Sequence, residues 1–196
     1  MPLVTPTAYF PPAHWFAAAI KEGTWLIDIH ENYQRKGFRN RARIGGPNGE
    51  QLLTVPLTKG KNQRTPISEV TIAHDYDWRR EHMAAIKTAY GRSPYYDYYA
   101  DRFYKALHFN RTESLLDLNT ALTQAVIQVL QLPISLEVTQ EFVQKKTHKT
   151  LPALAAYPQV FTDRHGYRPG LSILDAMFCL GPSLTVHDSQ NTNGGL

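Results

Sequence analysis

The chain has 196 residues, 42% of them hydrophobic, which is the size and apolar content of one domain with its own core. Lysine and arginine exceed aspartate and glutamate by 21 to 17, a net charge of +4 that suits an anionic ligand but is modest for a dedicated nucleic-acid binder. The single cysteine, Cys179, excludes an intrachain disulfide and a cysteine-based metal site; with no export-signal pattern and no run of 18 apolar residues, the expected address is the cytoplasm, without membrane insertion.

Leu3 to Phe10 reads as a short strand. Pro11 and Pro12 then open a helix from Ala13 to about Lys21, because proline is tolerated in a first helical turn, and Gly23 closes it. Trp25 to Ile29 reads as a buried strand that runs directly into the polar stretch His30-Glu31-Asn32-Tyr33-Gln34-Arg35. Strand ends of this kind commonly hold sites. Arg39 to Ile44 and Gln51 to Leu57 pair as a hairpin around Asn48-Gly49, residues that readily take the positive φ of tight turns. A basic loop from Thr58 to Arg64 follows, and Glu69 to Ile72 reads as a further strand.

From Asp77, a candidate N-cap, the periodicity becomes helical and puts Trp78, His82, Ala85, Ile86, Ala89 and Tyr90 on one face. Helices from Tyr95 to Leu107 and Ser114 to Leu130 come next, then a strand from Ile134 to Val138 and a polar stretch from Gln140 to Thr150. Leu171 to Phe178 is a short buried helix ended by Gly181-Pro182, and residues 187–196 have the composition of a disordered tail. These elements predict a mixed α/β fold in a single domain over residues 1–186, strand-rich in its first 75 residues and mainly helical afterwards. No internal repeat is visible.

The chain carries no phosphate-cradling glycine loop, no paired cysteine motif, no His-Glu-x-x-His and no Gly-x-Ser-x-Gly elbow. No histidine pair has a helical metal-ligand spacing, so no tightly held metal is expected, and the sequence identifies no cofactor. His30 and Glu31 are adjacent, so in extended backbone they point to opposite faces, and one of them is structural unless the chain bends. Glu31 lies among arginines that can hold it ionised. Arg39, Arg41 and Arg43 share one face of an extended strand, a basic stripe in which a forked guanidinium can take a carboxylate or phosphate. His82 sits on an apolar helix face, where a hydrogen-bonded core histidine is the usual case; either His82 or His30 can exchange a proton near neutral pH. Tyr90, Tyr95, Tyr96, Tyr98 and Tyr99 suit helix packing as well as ring stacking. Cys179, between Phe178 and Leu180, has no surroundings that would lower its pKa and is rejected as a nucleophile.

Taken in order, Tyr9-Phe10-Pro11-Pro12, Asn32-Tyr33, Arg39-Asn40-Arg41, Thr54-Val55-Pro56, Trp78 with His82, Ala89-Tyr90, Ser93-Pro94-Tyr95 and Asp117-Leu118-Asn119 resemble successive motifs of the WbqC-like family. Leu171-Ser172-Ile173-Leu174-Asp175 and Gly181-Pro182 resemble the closing motif of its Bacteroidetes-like branch. Each motif is weak alone, and their order is specific. Two departures stand out: many relatives carry an Asp-Asp pair where this chain has Asp28 followed by Ile29-His30-Glu31, and Cys179 and Gly170 replace polar residues of the branch.

The resemblance implies a place in the synthesis of O-antigen and other surface polysaccharides, as a transferase that modifies an amino-sugar precursor by aminoacyl or acyl transfer. It points to His30, Glu31 and His82 as catalytic residues and to Tyr33, Asn40, Arg41, Tyr90 and Tyr95 as substrate-binding residues, with a nucleotide-linked amino sugar as the small-molecule partner. The alternative is a non-catalytic module that binds a nucleotide-sugar or a partner enzyme of the same pathway. Nucleic-acid binding through Arg35 to Arg43 is a third possibility, which the modest net charge opposes.

Overall fold

The structure is a computed structural model that describes residues 1–58, 64–109, 111–144 and 151–184. Strand β1 (Leu3–Pro6), helix α1 (Ala13–Glu22) and strand β2 (Thr24–Asp28) form a parallel strand–helix–strand unit, and β5 (Ser135–Val138) adds to the far side of β2. The order is β1-β2-β5, all parallel, with Val4 opposite Leu26 and Leu26 opposite Glu137. Parallel neighbours need a crossover, and the helix α1 supplies the first one. That helix ends where Gly23 takes a left-handed conformation at φ 75°, its N–H donating to the Ala19 carbonyl at 2.8 Å.

Strands β3 (Arg41–Gly46) and β4 (Gly49–Thr54) form a separate antiparallel hairpin, closed where Gly46 pairs with Gly49 at φ 112°. Helix α2 (Trp78–Tyr90) starts at Asp77, whose carboxylate accepts the Arg80 N–H at 3.2 Å, and it packs against β3. Helices α3 (Tyr96–Phe109) and α4 (Leu115–Val129) pack on each other, α4 being capped by the Ser114 hydroxyl. After the single turn α5 (Thr162–His165), helix α6 (Ile173–Leu180) runs through the interior with every residue from Ile173 to Cys179 buried. Apart from Asp175 this helix is apolar on all sides and must be covered on all sides, and α1, α2, α3 and β3 surround it. Trp25, Trp78, Tyr9, Tyr90, Phe16 and Phe178 are among the largest side chains wholly within the core.

The fold class is the one expected. Three local expectations changed. The first strand stops at Pro6 rather than Phe10, because the chain leaves the sheet so that the Tyr9 N–H can donate to the Phe38 carbonyl at 2.8 Å, with Phe10 at φ 44°. Glu69 to Ile72 is not a ladder strand: a 3₁₀ turn at Ile67–Glu69 follows Pro66, and only single bridges, Leu57 to Ile72 and Thr71 to Ser114, hold what comes after. Arg39 leaves the basic stripe. It precedes β3 and turns inward, while Arg41 and Arg43 stay on the outer face. Residues 59–63 of the basic loop, 145–150 of the polar stretch and the tail from 185 lie outside the described residues.

Candidate functional site

Parallel strands all end on the same side of their sheet, so Thr7 after β1, Asp28 at the end of β2 and Thr139 after β5 come together at one edge. Asp28 is fully buried there. Its Oδ1 accepts the His30 N–H at 2.9 Å and the Thr139 hydroxyl at 3.2 Å, and the Thr139 N–H donates to Ile27 at 3.0 Å. The His30 side chain is exposed, with Nε2 3.2 Å from the Thr139 carbonyl oxygen. A carbonyl only accepts, so this contact keeps the proton on Nε2 and leaves the lone pair on Nδ1.

Glu31 is turned into the protein where the chain bends past the end of β2, and is 2% exposed. Arg39 grips it through two parallel hydrogen bonds, Nε to Oε1 at 3.1 Å and Nη2 to Oε2 at 2.5 Å. The backbone of Arg39 is held in turn by α4. The Asn119 amide donates to the Arg39 carbonyl at 2.7 Å and to the Thr7 hydroxyl at 3.1 Å, tying the helix to the sheet edge and to the ion pair. Asn119→Ala leaves the carbonyl of residue 39 and the Thr7 hydroxyl without that donor in a buried position, and urea unfolding is expected to show a loss of about 1–3 kcal/mol.

Tyr33 and Asn40 complete the next layer. The Tyr33 hydroxyl donates to Asn40 Oδ1 at 3.2 Å, and Asn40 bonds Val55 through both its side-chain amide (2.9 Å) and its carbonyl (2.8 Å), fastening the polar segment to the hairpin. Burial raises the pKa of the Tyr33 phenol, and Arg41, Arg35 and Arg39 pull it back down. The Tyr33 phenol therefore lies in the positive field of three arginines, of which Arg35 and Arg41 are exposed to solvent.

His82 lies beneath the hairpin. It bonds the Thr54 backbone, so its Nδ1 accepts the Tyr9 hydroxyl at 2.8 Å, and its ring packs edge-on against Trp78. Burial lowers its pKa from 6.5 to about 4, so at neutral pH the ring is uncharged. Tyr90 and Tyr95 belong elsewhere. The Tyr90 hydroxyl accepts the Gly45 N–H at 3.1 Å and bonds Asp175, while the Tyr95 ring fills the space where a side chain on Gly181 would stand, 2.7 Å from the Cβ position. The structure thus sets His30 at the sheet edge, ties Glu31 to that edge through Arg39 and Asn119, joins Tyr33 and Asn40 to the hairpin that begins at Arg41, and places His82, Tyr90 and Tyr95 in other networks. Cys179 is buried, and burial pushes its thiol up to about 12.

Four residues of the edge escaped the sequence reading as site residues: Thr7, Asp28, Asn119 and Thr139. Asp28 ends an apolar strand, and Asn119 interrupts the apolar face of α4 between Leu118 and Leu122, which are usable signals. Thr139 carries none beyond its place after a strand. Among the described residues, no three of His, Cys, Asp and Glu gather to hold a metal ion, and no helix is long and apolar enough to cross a membrane.

A family model described as the WbqC-like protein family matches residues 7–156, from the end of β1 past the end of β5. No curated protein and no solved structure matches the chain.

Proposed function

The chain belongs to the WbqC-like protein family, and from that premise we propose that it is a cytoplasmic transferase that modifies an amino-sugar precursor of surface polysaccharide. The observation that carries this reading is the edge of the parallel sheet, where Asp28 and Thr139 hold the exposed His30 imidazole in place. In an acyl or aminoacyl transfer, the amine of the sugar attacks the carbonyl carbon of an activated donor. The new C–N bond forms, the bond to the leaving group breaks with its electron pair, and the amine's proton passes to His30 Nδ1. Thr139 and Asp28 hold His30 ready to accept it, since the first fixes the ring tautomer and the second the backbone at residue 30. Arg41 and Arg35 supply the positive charge that a diphosphate of a nucleotide-linked sugar requires. Glu31 acts through Arg39 as a positioning residue, because both are turned inward.

A thermal-shift screen against nucleotide-activated amino sugars, acyl donors and aminoacyl donors tests this. A true substrate at about a hundred times its Kd stabilises the native state by about 2.7 kcal/mol, and Arg41→Ala removes the shift. With that substrate, His30→Ala lowers turnover at least about a hundredfold while leaving the melting temperature in place, since the ring is exposed. Binding without turnover in the wild type would leave a non-catalytic binding module. No shift with any compound would turn the search to a protein partner.

A further inference from the structure

Between the turn that joins α2 to α3 and the segment from Pro158 to Arg164 lies a cavity of about 380 Å³, open to solvent. None of the sheet-edge residues lines it, and the second of its walls lies beyond the family-matched residues 7–156. We propose that this cavity binds a mononucleotide, with the base against Phe161 and the phosphate between Arg92 and Arg164.

Both walls are fixed by the protein's own bonds. In the first, the Ser93 N–H and hydroxyl donate to the Tyr90 carbonyl at 2.8 and 2.6 Å, and the Tyr95 N–H reaches the Phe178 carbonyl at 3.1 Å. In the second, the Thr162 hydroxyl donates to the Gln159 carbonyl at 3.0 Å, and the Gln159 amide donates to the Arg168 carbonyl at 3.0 Å and to Asp175 at 2.9 Å. Phe178 and Asp175 belong to α6, so the buried helix anchors the two walls together. A site built in advance loses less to ordering when a ligand arrives.

What the lining leaves unspent identifies the ligand. The Ser93 hydroxyl and the Gln159 amide are engaged as above, and the Cys179 sulfur accepts the Val160 N–H. Arg92, Asp163 and Arg164 are exposed, and their side chains make no hydrogen bond or ion pair among the described residues. Two forked guanidiniums on different walls of one cavity suit a phosphate. Half-buried Phe161, with Pro94 and Pro158, offers apolar faces for a flat ring. Asp163 is the third unspent group: it repels a bare anion and is satisfied by hydroxyl donors such as those of a ribose. Phosphate, hydroxyls and a flat ring on one molecule make a nucleotide, and the cavity is within the range of about 300–1,000 Å³ usual for small-molecule sites. With no further unspent polar side chain in the lining, the base edge goes unread, and purines and pyrimidines stack alike. Nucleotide binding here stands on the cavity itself; its use for a nucleotide-linked sugar rests on the transferase reading.

The test is calorimetric titration of the full chain with AMP, UMP, adenosine and inorganic phosphate. AMP and UMP are expected to bind saturably with Kd values within about tenfold of each other, and adenosine and phosphate at least about tenfold more weakly. Arg92→Ala combined with Arg164→Ala is expected to weaken AMP about tenfold or more at unchanged melting temperature, since neither arginine has a partner to lose. Should that double variant fold poorly, Phe161→Leu removes the stacking face and is expected to weaken AMP and adenosine alike. The proposal is overturned if neither nucleotide binds saturably, if binding survives these substitutions, if phosphate binds as tightly as AMP, or if one base is preferred by more than about tenfold. Loss in Arg41→Ala but not in the double variant would place the nucleotide at the sheet edge, overturning the cavity while sparing the transferase reading. A failed amino-sugar screen alongside AMP binding that the double variant abolishes would do the reverse.

Discussion

Arg39→Met is expected to destabilise the protein by about 3–5 kcal/mol, a fall of roughly 10 °C in melting temperature for a chain of this size. The reason is what the substitution leaves behind. Glu31 is 2% exposed, its carboxylate is gripped by two guanidinium hydrogen bonds, and its backbone carbonyl is already engaged by Ile67 at 2.9 Å, so the residue has no easy way out to solvent. Removing the arginine takes away the two charge-assisted hydrogen bonds that offset the burial of that charge. Replacing both partners is different: Glu31→Gln with Arg39→Met removes the uncompensated charge and is expected to recover most of the loss, because intact buried pairs contribute little net stability. Urea unfolding of the two single variants and the double measures the coupling. A loss below about 1 kcal/mol in Arg39→Met would mean that solvent reaches Glu31, and the residue would return to consideration as a direct substrate contact.

The second large effect is on pH. His82 is neutral in the fold with a pKa of about 4 against 6.5 when unfolded, so below 6.5 the unfolded chain takes up the proton first. Stability therefore falls as pH drops through that window, by an amount on the order of 3 kcal/mol once pH reaches 4, and the slope flattens below it. His14, half-buried near Arg43, has a pKa lowered by burial and by that arginine, and it adds in the same direction. Asp175 opposes: burial raises its pKa, so it favours the folded state as it gains a proton. Denaturant midpoints at pH 7 and pH 4.5 should show the net decline in the wild type and a clearly shallower one in His82→Gln. An unchanged slope in the variant would show that His82 is not the titrating group. The same measurement bears on catalysis, since a ring held between Tyr9 and Thr54 and protonated only near pH 4 is a poor proton acceptor at neutral pH.

Within the site, the legible residues were those whose neighbours in sequence are also their neighbours in space. Tyr33, Asn40 and Arg41 lie within one strand connection, and Glu31 meets Arg39 only eight positions on. The alternation argument for His30 and Glu31 assumed extended backbone, whereas the chain bends at both residues past the end of β2, and that bend sets one exposed and the other buried. Arg39 was misplaced on the basic stripe because its position was judged by period alone, whereas a buried carboxylate draws it out of the strand. Asp175 was read as part of a packing helix, since nothing near it in sequence announces the glycine hairpin it lines.

By itself the sequence determined the family, the mixed α/β class, the helices that begin near Trp78, Ser114 and Leu171, and the turn at Gly46 to Gly49. These depend on caps, periodicity and turn residues, interactions that reach only a few positions along the chain. The tertiary structure alone decided that Thr139 would meet Asp28 across 111 residues, Asn119 would meet Thr7 across 112, and Tyr9 would meet His82 across 73. Such pairings depend on which strands lie side by side and in which register, and that is settled only when β5 returns to β2 and the whole core closes around α6.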